Sequence, residues 1–182
     1  SGSGSGGAGG LLGVPLTSVF RPSPLPALDR LISRLRTRTG QNVVARKRVM
    51  WNLKRLLKDR GAVALVCDGG GKHSSVGVPF LGTVAKTVAT PAILHLSTGA
   101  PIVVVAVMRT GCMRFHMRVY DVIRVTPSDD RDADLRAIMT RVNDGLSSAI
   151  AEAPEQWFWQ SRRFRHRPSG ETPGPGGLPP LA

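Results

Sequence analysis

The sequence predicts an α/β layered domain with a mainly parallel sheet flanked by helices. Stretches with apolar residues at helical spacing alternate with short runs that are almost wholly apolar. Two of those runs, AVALVC (62–67) and PIVVVAV (101–107), have the composition of strands covered on both faces. At 182 residues, 41% of them hydrophobic, the chain suits one domain with its own core.

The elements follow in order. SGSGSGGAGG (1–10) is a flexible segment with nothing to pack. VPLTSVF (14–20) reads as a short strand. In PLPALDRLISRLR, Leu28, Leu31, Ile32 and Leu35 fall at i, i+3, i+4 and i+7, an amphipathic helix. Val49, Met50, Leu53, Leu56 and Leu57 mark a second helix, with Gly61 as its stop. AVALVC is a buried strand ending at Asp68 and a glycine run. Residues 87–98 read as a helix capped by Gly99, and PIVVVAV as a second buried strand. FHMRVYDVIRV (115–125) alternates with period two, a half-exposed strand. Leu135, Ile138, Met139, Val142, Leu146 and Ile150 stripe a long helix over 129–152. The folded domain spans 11–168, and the Pro/Gly-rich 169–182 is a disordered tail.

The net charge is +13, more than a fold requires. Such an excess points to anionic partners: nucleic acid, anionic lipid or acidic carrier proteins. Arg far outnumbers Lys, and only Arg grips phosphate in a bidentate fork. No helix-turn-helix, zinc-finger or RNA-binding aromatic motif accompanies the charge, so specific nucleic-acid binding is not expected. Cys67 and Cys112 read as buried thiols of a reducing compartment. No stretch approaches the ~18 apolar residues of a membrane span, and no signal peptide opens the chain. Membrane contact by this chain is therefore expected to be peripheral, unless a further segment lies upstream.

Two segments carry candidate chemistry. In CDGGGKHSSVGVPFLG an acid ends a strand, three glycines follow, and then come Lys72 and His73. Glycines let backbone N–H groups approach a phosphate, and Lys72 adds charge. The Walker spacing is absent, so a plain turn, with Asp68 as an ordinary turn residue, competes with that reading. In PEQWFWQSRRFRHRP, Trp157, Phe158 and Trp159 precede Arg162, Arg163, Arg165 and Arg167. The aromatics suit either a wet membrane edge or a plug for the core. His116 and Asp121 have the spacing of a catalytic dyad, but residues five apart on a strand point to opposite faces. His95 lies in an apolar helix, the setting of a satisfied core histidine. No Cys/His cluster has metal-ligand spacing, and neither metal nor cofactor is expected.

These segments also resemble a family. VGVPFLGTVAKTVATPAILHLSTGAPIVVVAVMR and APEQWFWQSRRFRHRPSG are similar to the lipid A biosynthesis acyltransferases, and VFRPSPLPALD and LRTRTG resemble that family's upstream segments. The similarity runs from about 14 to 170. It implies an α/β domain like that of the glycerolphosphate acyltransferases. It also implies transfer of an acyl group from acyl carrier protein or acyl-CoA to a hydroxyl of an anionic glycolipid acceptor. The place of work would be the cytoplasmic face of the inner membrane. Carried over by matching segments, Arg36 and Asp68 fall in the active-site region. Arg21 and Asp29 match family positions, and Arg162 and Arg163 match a terminal pair suited to lipid phosphates or a carrier's acidic surface. With Lys72 and His73, Arg21, Arg162 and Arg163 are the candidate substrate contacts, while Asp29 has a structural role among the alternatives. The family's His-x-x-x-x-acid signature has no counterpart here, since no histidine precedes His73. That leaves two expectations: a protein longer at its N-terminus, or a relative without that base.

Overall fold

The computed structural model describes residues 16–18, 42–43, 49–70, 74–161 and 163–164. The chain divides into two compact units, residues 1–66 and 67–182. The predicted helix over Leu28–Leu35 lies outside the described residues.

The first unit contains strands β1 (Leu16–Ser18) and β2 (Asn42–Val43), helix α1 (Val49–Lys58) and strand β3 (Ala62–Ala64). The strands form a parallel sheet in the order β2-β1-β3. Leu53, on the apolar stripe of α1, is fully buried, and Leu56 and Leu57 are partly buried. The helix stops differently from the expectation. Arg60, not Gly61, takes the left-handed conformation (φ 60°). Arg60 N–H donates to Leu57 O at 3.2 Å and Gly61 N–H to Leu56 O at 2.9 Å, the paired bonds of a Schellman end. Glycine is needed at 61 for space, because a Cβ there would sit 2.8 Å from Leu56 Cδ1.

The second unit opens with a hairpin that the sequence reading missed. Strands β4 (Ser75–Phe80) and β5 (Thr83–Val88) pair antiparallel through the two-residue turn Leu81–Gly82. Both turn residues have positive φ, 50° and 75°, as a tight primed turn requires. Helix α2 (Thr90–Thr98) follows, with Pro91 in its first turn and Gly99 left-handed at its end. It starts three residues later than expected because Thr87 and Val88 complete β5. Strands β6 (Ile102–Gly111) and β7 (Arg114–Ile123) form a second antiparallel hairpin. Helix α3 (Arg131–Glu152) lies across β4, β6 and β7, and a 3₁₀ turn (Pro154–Gln156) follows it.

The mainly parallel sheet is thus corrected. Parallel pairing holds for β1–β3, while both hairpins of the second unit are antiparallel. PIVVVAV is also not a strand buried on both faces. Val104 is buried, but Val103, Val105 and Val107 point the other way and are exposed, Val107 at 62%. With Phe115, Met117, Val119 and Val122 of β7 they make an open apolar face. The opposite face packs under α3. Val78, Ala89, Ala92, Val104, Ile123, Ile138, Met139 and Val142 form that core.

The long helix follows its predicted stripe. Asp130 caps it, its Oδ1 accepting from the N–H groups of Asp132 and Ala133 at 3.1 and 3.0 Å. Asp134 reaches back, accepting from Ser128 N–H at 2.7 Å and Ser128 Oγ–H at 2.9 Å. Both aspartates also favour the positive end of the helix dipole. Gly145 allows the closest approach to the hairpin, since a Cβ there would meet Val104 Cγ1 at 2.9 Å.

Candidate functional site

Asp68, Gly69 and Gly70 begin the second unit at a bend. Gly70 forms an isolated antiparallel bridge with Thr87 of β5. A side chain at 70 would collide with Arg163, whose carbonyl oxygen would lie 2.9 Å from the Cβ. Gly70 is therefore required by the close approach of three backbone segments, the physical use of glycine at such points.

Arg163 comes to the same place from the other end of the unit. It is only 1% exposed. Its Nη1 donates to Lys86 O at 2.9 Å and its Nη2 to Thr87 Oγ1 at 2.6 Å. The guanidinium carbon stands 4.4 Å from the centre of the Phe80 ring, a cation–π contact. Thr87 Oγ1 also accepts from Asn143 Nδ2 at 3.1 Å, and a further Nδ2 bond reaches Pro79 O at 2.7 Å. Asn143 and Thr87 are both fully buried. A polar network thus ties α3, the β4–β5 hairpin and the C-terminal turn together inside an otherwise apolar interior.

The electrostatics follow from burial. Burial, with Asp68 beside it, pushes the Cys67 thiol up to about 11, while Arg163 pulls it back. Burial also lowers the Arg163 guanidinium below its ordinary value, opposed by the negative charges of Asp68 and Cys67. A folded-state value above the unfolded 9.0 keeps the thiol neutral longer in the native chain. Its contribution to stability is therefore complete below pH 9 and is lost as the pH rises through about 11. A measurable consequence concerns alkylation. Cys112, expected to be buried, is instead exposed in the β6–β7 turn, and the two cysteines form no disulfide. At pH 8 iodoacetamide is expected to modify Cys112 and spare Cys67, whose thiolate fraction is then about a thousandth. Equal labelling of both in the native chain, read by peptide mass, would contradict this arrangement.

The aromatic segment divides between two roles. Trp157 packs on Phe80 with ring centres 5.7 Å apart, and Phe164 on the same ring at 6.1 Å. Phe158 and Trp159 are exposed. Trp157 therefore plugs the core, whereas Phe158, read as its companion there, does not. Gln156 fastens the turn to β6: Arg109 N–H donates to its Oε1 at 2.8 Å, and its Nε2 donates to Arg109 O at 3.1 Å.

Two of the expected site residues, Asp68 and Arg163, share this neighbourhood. Arg21, Arg36, Lys72, His73 and Arg162, with Asp29, lie outside the described residues. Arg163, expected to face lipid phosphate or a carrier, turns its guanidinium inward instead. The His116–Asp121 pair is no dyad, but for a different reason from the one expected. A bulge at Tyr120 turns Asp121 to the helix side, where Arg141 holds it bidentately at 2.7 and 2.9 Å. That grip lowers the Asp121 carboxyl below its usual range. Five strand residues also span roughly 16 Å. His95 is a core histidine, as expected. Its Nδ1–H donates to Ala100 O at 2.7 Å and its Nε2 accepts from Val125 N–H at 3.0 Å. Thr87 and Asn143 were missed. Asn143 carried a signal, because it interrupts the apolar stripe between Met139, Val142 and Leu146.

No group of His, Cys, Asp or Glu among the described residues could hold a metal ion, and no described helix is long and apolar enough to cross a membrane. Over residues 11–166 the sequence matches the family model described as bacterial lipid A biosynthesis acyltransferase. The class is that of the acyltransferases. Within it, the chain belongs to the bacterial lipid A biosynthesis acyltransferase family. It is 25% identical over 160 residues to the lipid A biosynthesis palmitoleoyltransferase of Escherichia coli (strain K12), covering 87% of this chain and 51% of that protein. It is 28% identical over 165 residues to a lipid A biosynthesis acyltransferase of Haemophilus influenzae, covering 87% and 49%. To the E. coli lipid A biosynthesis lauroyltransferase it is 28% identical over 158 residues, covering 86% and 50%. The chain thus spans about half the length of the curated relatives it matches.

Proposed function

We propose that this chain contributes to transfer of a fatty acyl group onto a hydroxyl of a lipid A-type glycolipid, with acyl carrier protein or acyl-CoA as donor. The observation that carries the reading is the family match across residues 11–166, nearly all of the predicted domain. Arg36 and Asp68 are the active-site residues in this reading. Arg36 holds a phosphate of donor or acceptor, and Asp68 orients the group that meets it. Arg21, Lys72, His73 and Arg162 supply further contacts to anionic substrate. Arg163 belongs with them by family position but is turned inward, which favours support over contact. The domain is of the glycerolphosphate-acyltransferase type and works peripherally at the cytoplasmic face of the inner membrane, where the +13 charge favours anionic lipid.

A second reading rests on the net charge of +13, which favours anionic partners whether or not a reaction follows. On that reading the chain binds anionic glycolipid or acyl carrier protein without turnover. The test is to incubate the purified chain with acyl carrier protein or acyl-CoA thioesters and lipid A precursor in anionic vesicles. Acylated product, read by mass spectrometry, is the expected result. Vesicle or carrier binding with no product selects the second reading. Binding to nucleic acid alone, with a steep salt dependence, would sink both.

A further inference from the structure

We propose that Arg163 is a positioning residue: its buried guanidinium and its main-chain carbonyl together clamp the Asp68–Gly70 segment against β5. The role of Asp68 in this inference rests on the proposed function, but the clamp itself does not.

The geometry is two-sided. On one side, the guanidinium is fixed to β5 by Lys86 O and Thr87 Oγ1 and lies over Phe80. On the other, the Arg163 carbonyl presses against Gly70, which itself bridges to Thr87. Thr87 is thus gripped through its side chain by Arg163 and paired through its backbone with Gly70. Any displacement of Arg163 moves both walls of the slot that holds Gly70, and Asp68 is two residues away.

A buried guanidinium is a costly way to build a plain turn. Among the described residues no carboxylate forms a salt bridge with it, and its Nε has no hydrogen-bond partner. An apolar side chain of similar length would fill the same volume over Phe80. What that side chain would lack is the fork that reads Lys86 and Thr87 together, and the positive charge felt by Asp68 and Cys67. Within the C-terminal basic segment, Arg163 therefore serves the interior.

Arg163→Met and Arg163→Lys separate these contributions. Amide hydrogen exchange, read by peptide mass spectrometry on the full chain, reports on the clamp without any turnover. In Arg163→Met, the amides of Asp68–Gly70 are expected to exchange at least tenfold faster, while the middle of α3 keeps its protection. Arg163→Lys should recover part of that protection, because a charge remains at the site. Wild-type protection of 68–70 in Arg163→Met, or equal loss across the whole unit, would overturn the proposal. If Arg163→Met fails to fold, Thr87→Val takes its place and is expected to loosen the same segment; unchanged exchange there would be equally fatal. Where the wild-type chain turns over, the Met variant should lose kcat with KM nearly unchanged. A wild-type chain without turnover would count against the proposed function, while the exchange data would still decide the clamp.

Discussion

Acyl transfer is expected to fall by roughly 10²–10³-fold when Arg36 is replaced by alanine, the usual cost of losing one preorganised electrostatic donor. The family match spans this residue, which sits in LRTRTG. A guanidinium there can hold two phosphate oxygens at once, fixing their direction as well as neutralising their charge. Alanine removes both functions. Lysine restores the charge and not the fork, so Arg36→Lys should recover only part of the rate. The measurement is product formed per unit time at saturating donor, with the melting temperature followed in parallel. Normal turnover by Arg36→Ala, in a chain whose wild type is active, would remove Arg36 from the active-site region.

A large loss of stability is expected at Ile138. Its side chain is fully buried in the core shared by α3 and both hairpins, beside Met139, Val142, Val104 and Ile123. Truncation to alanine removes three carbon atoms and leaves a cavity that close-packed neighbours fill only in part. The cost for such changes is about 2–5 kcal/mol. At this chain length each kcal/mol lowers the melting temperature by about 2–4 °C. Thermal unfolding of Ile138→Ala by circular dichroism should therefore show a fall of roughly 5–15 °C. A shift within about a degree would mean that this core is not packed as described. Ile138→Val, losing one methyl group, should sit between the two.

The elements that the sequence showed best are those whose signal is local. The stripe from Leu135 to Ile150 repeats over several turns, and α3 follows it. Gly99 ended α2 where expected. Strand pairing is a different matter, because partners are distant in sequence. An apolar run such as PIVVVAV is compatible with burial on one face or on both, and β6 turned out to expose one of them. The β4–β5 hairpin escaped notice because Leu81–Gly82 lacks the usual Asn-Gly or Asp-Gly turn, and because Pro79 stands inside the strand. The Tyr120 bulge inverted the facing of Asp121, which no alternation pattern reveals. Asp68 and Arg163 were each legible alone, from a glycine run and a basic motif. Their meeting depends on Thr87 and Asn143, whose positions only tertiary packing sets.

The Gln156 side chain has a consequence for the chain's behaviour at high concentration. Among the described residues β6 pairs only with β7. Its IVVVAV stretch has strong β-propensity, no charge and no proline, the composition that templates cross-β stacking. Gln156 takes up both the N–H and the carbonyl of Arg109, two residues past that stretch, and so caps the C-terminal end of the strand edge. Covering backbone groups in this way is one of the means by which edge strands are blunted. The same few residues that close the C-terminal turn thereby also close one end of a strand.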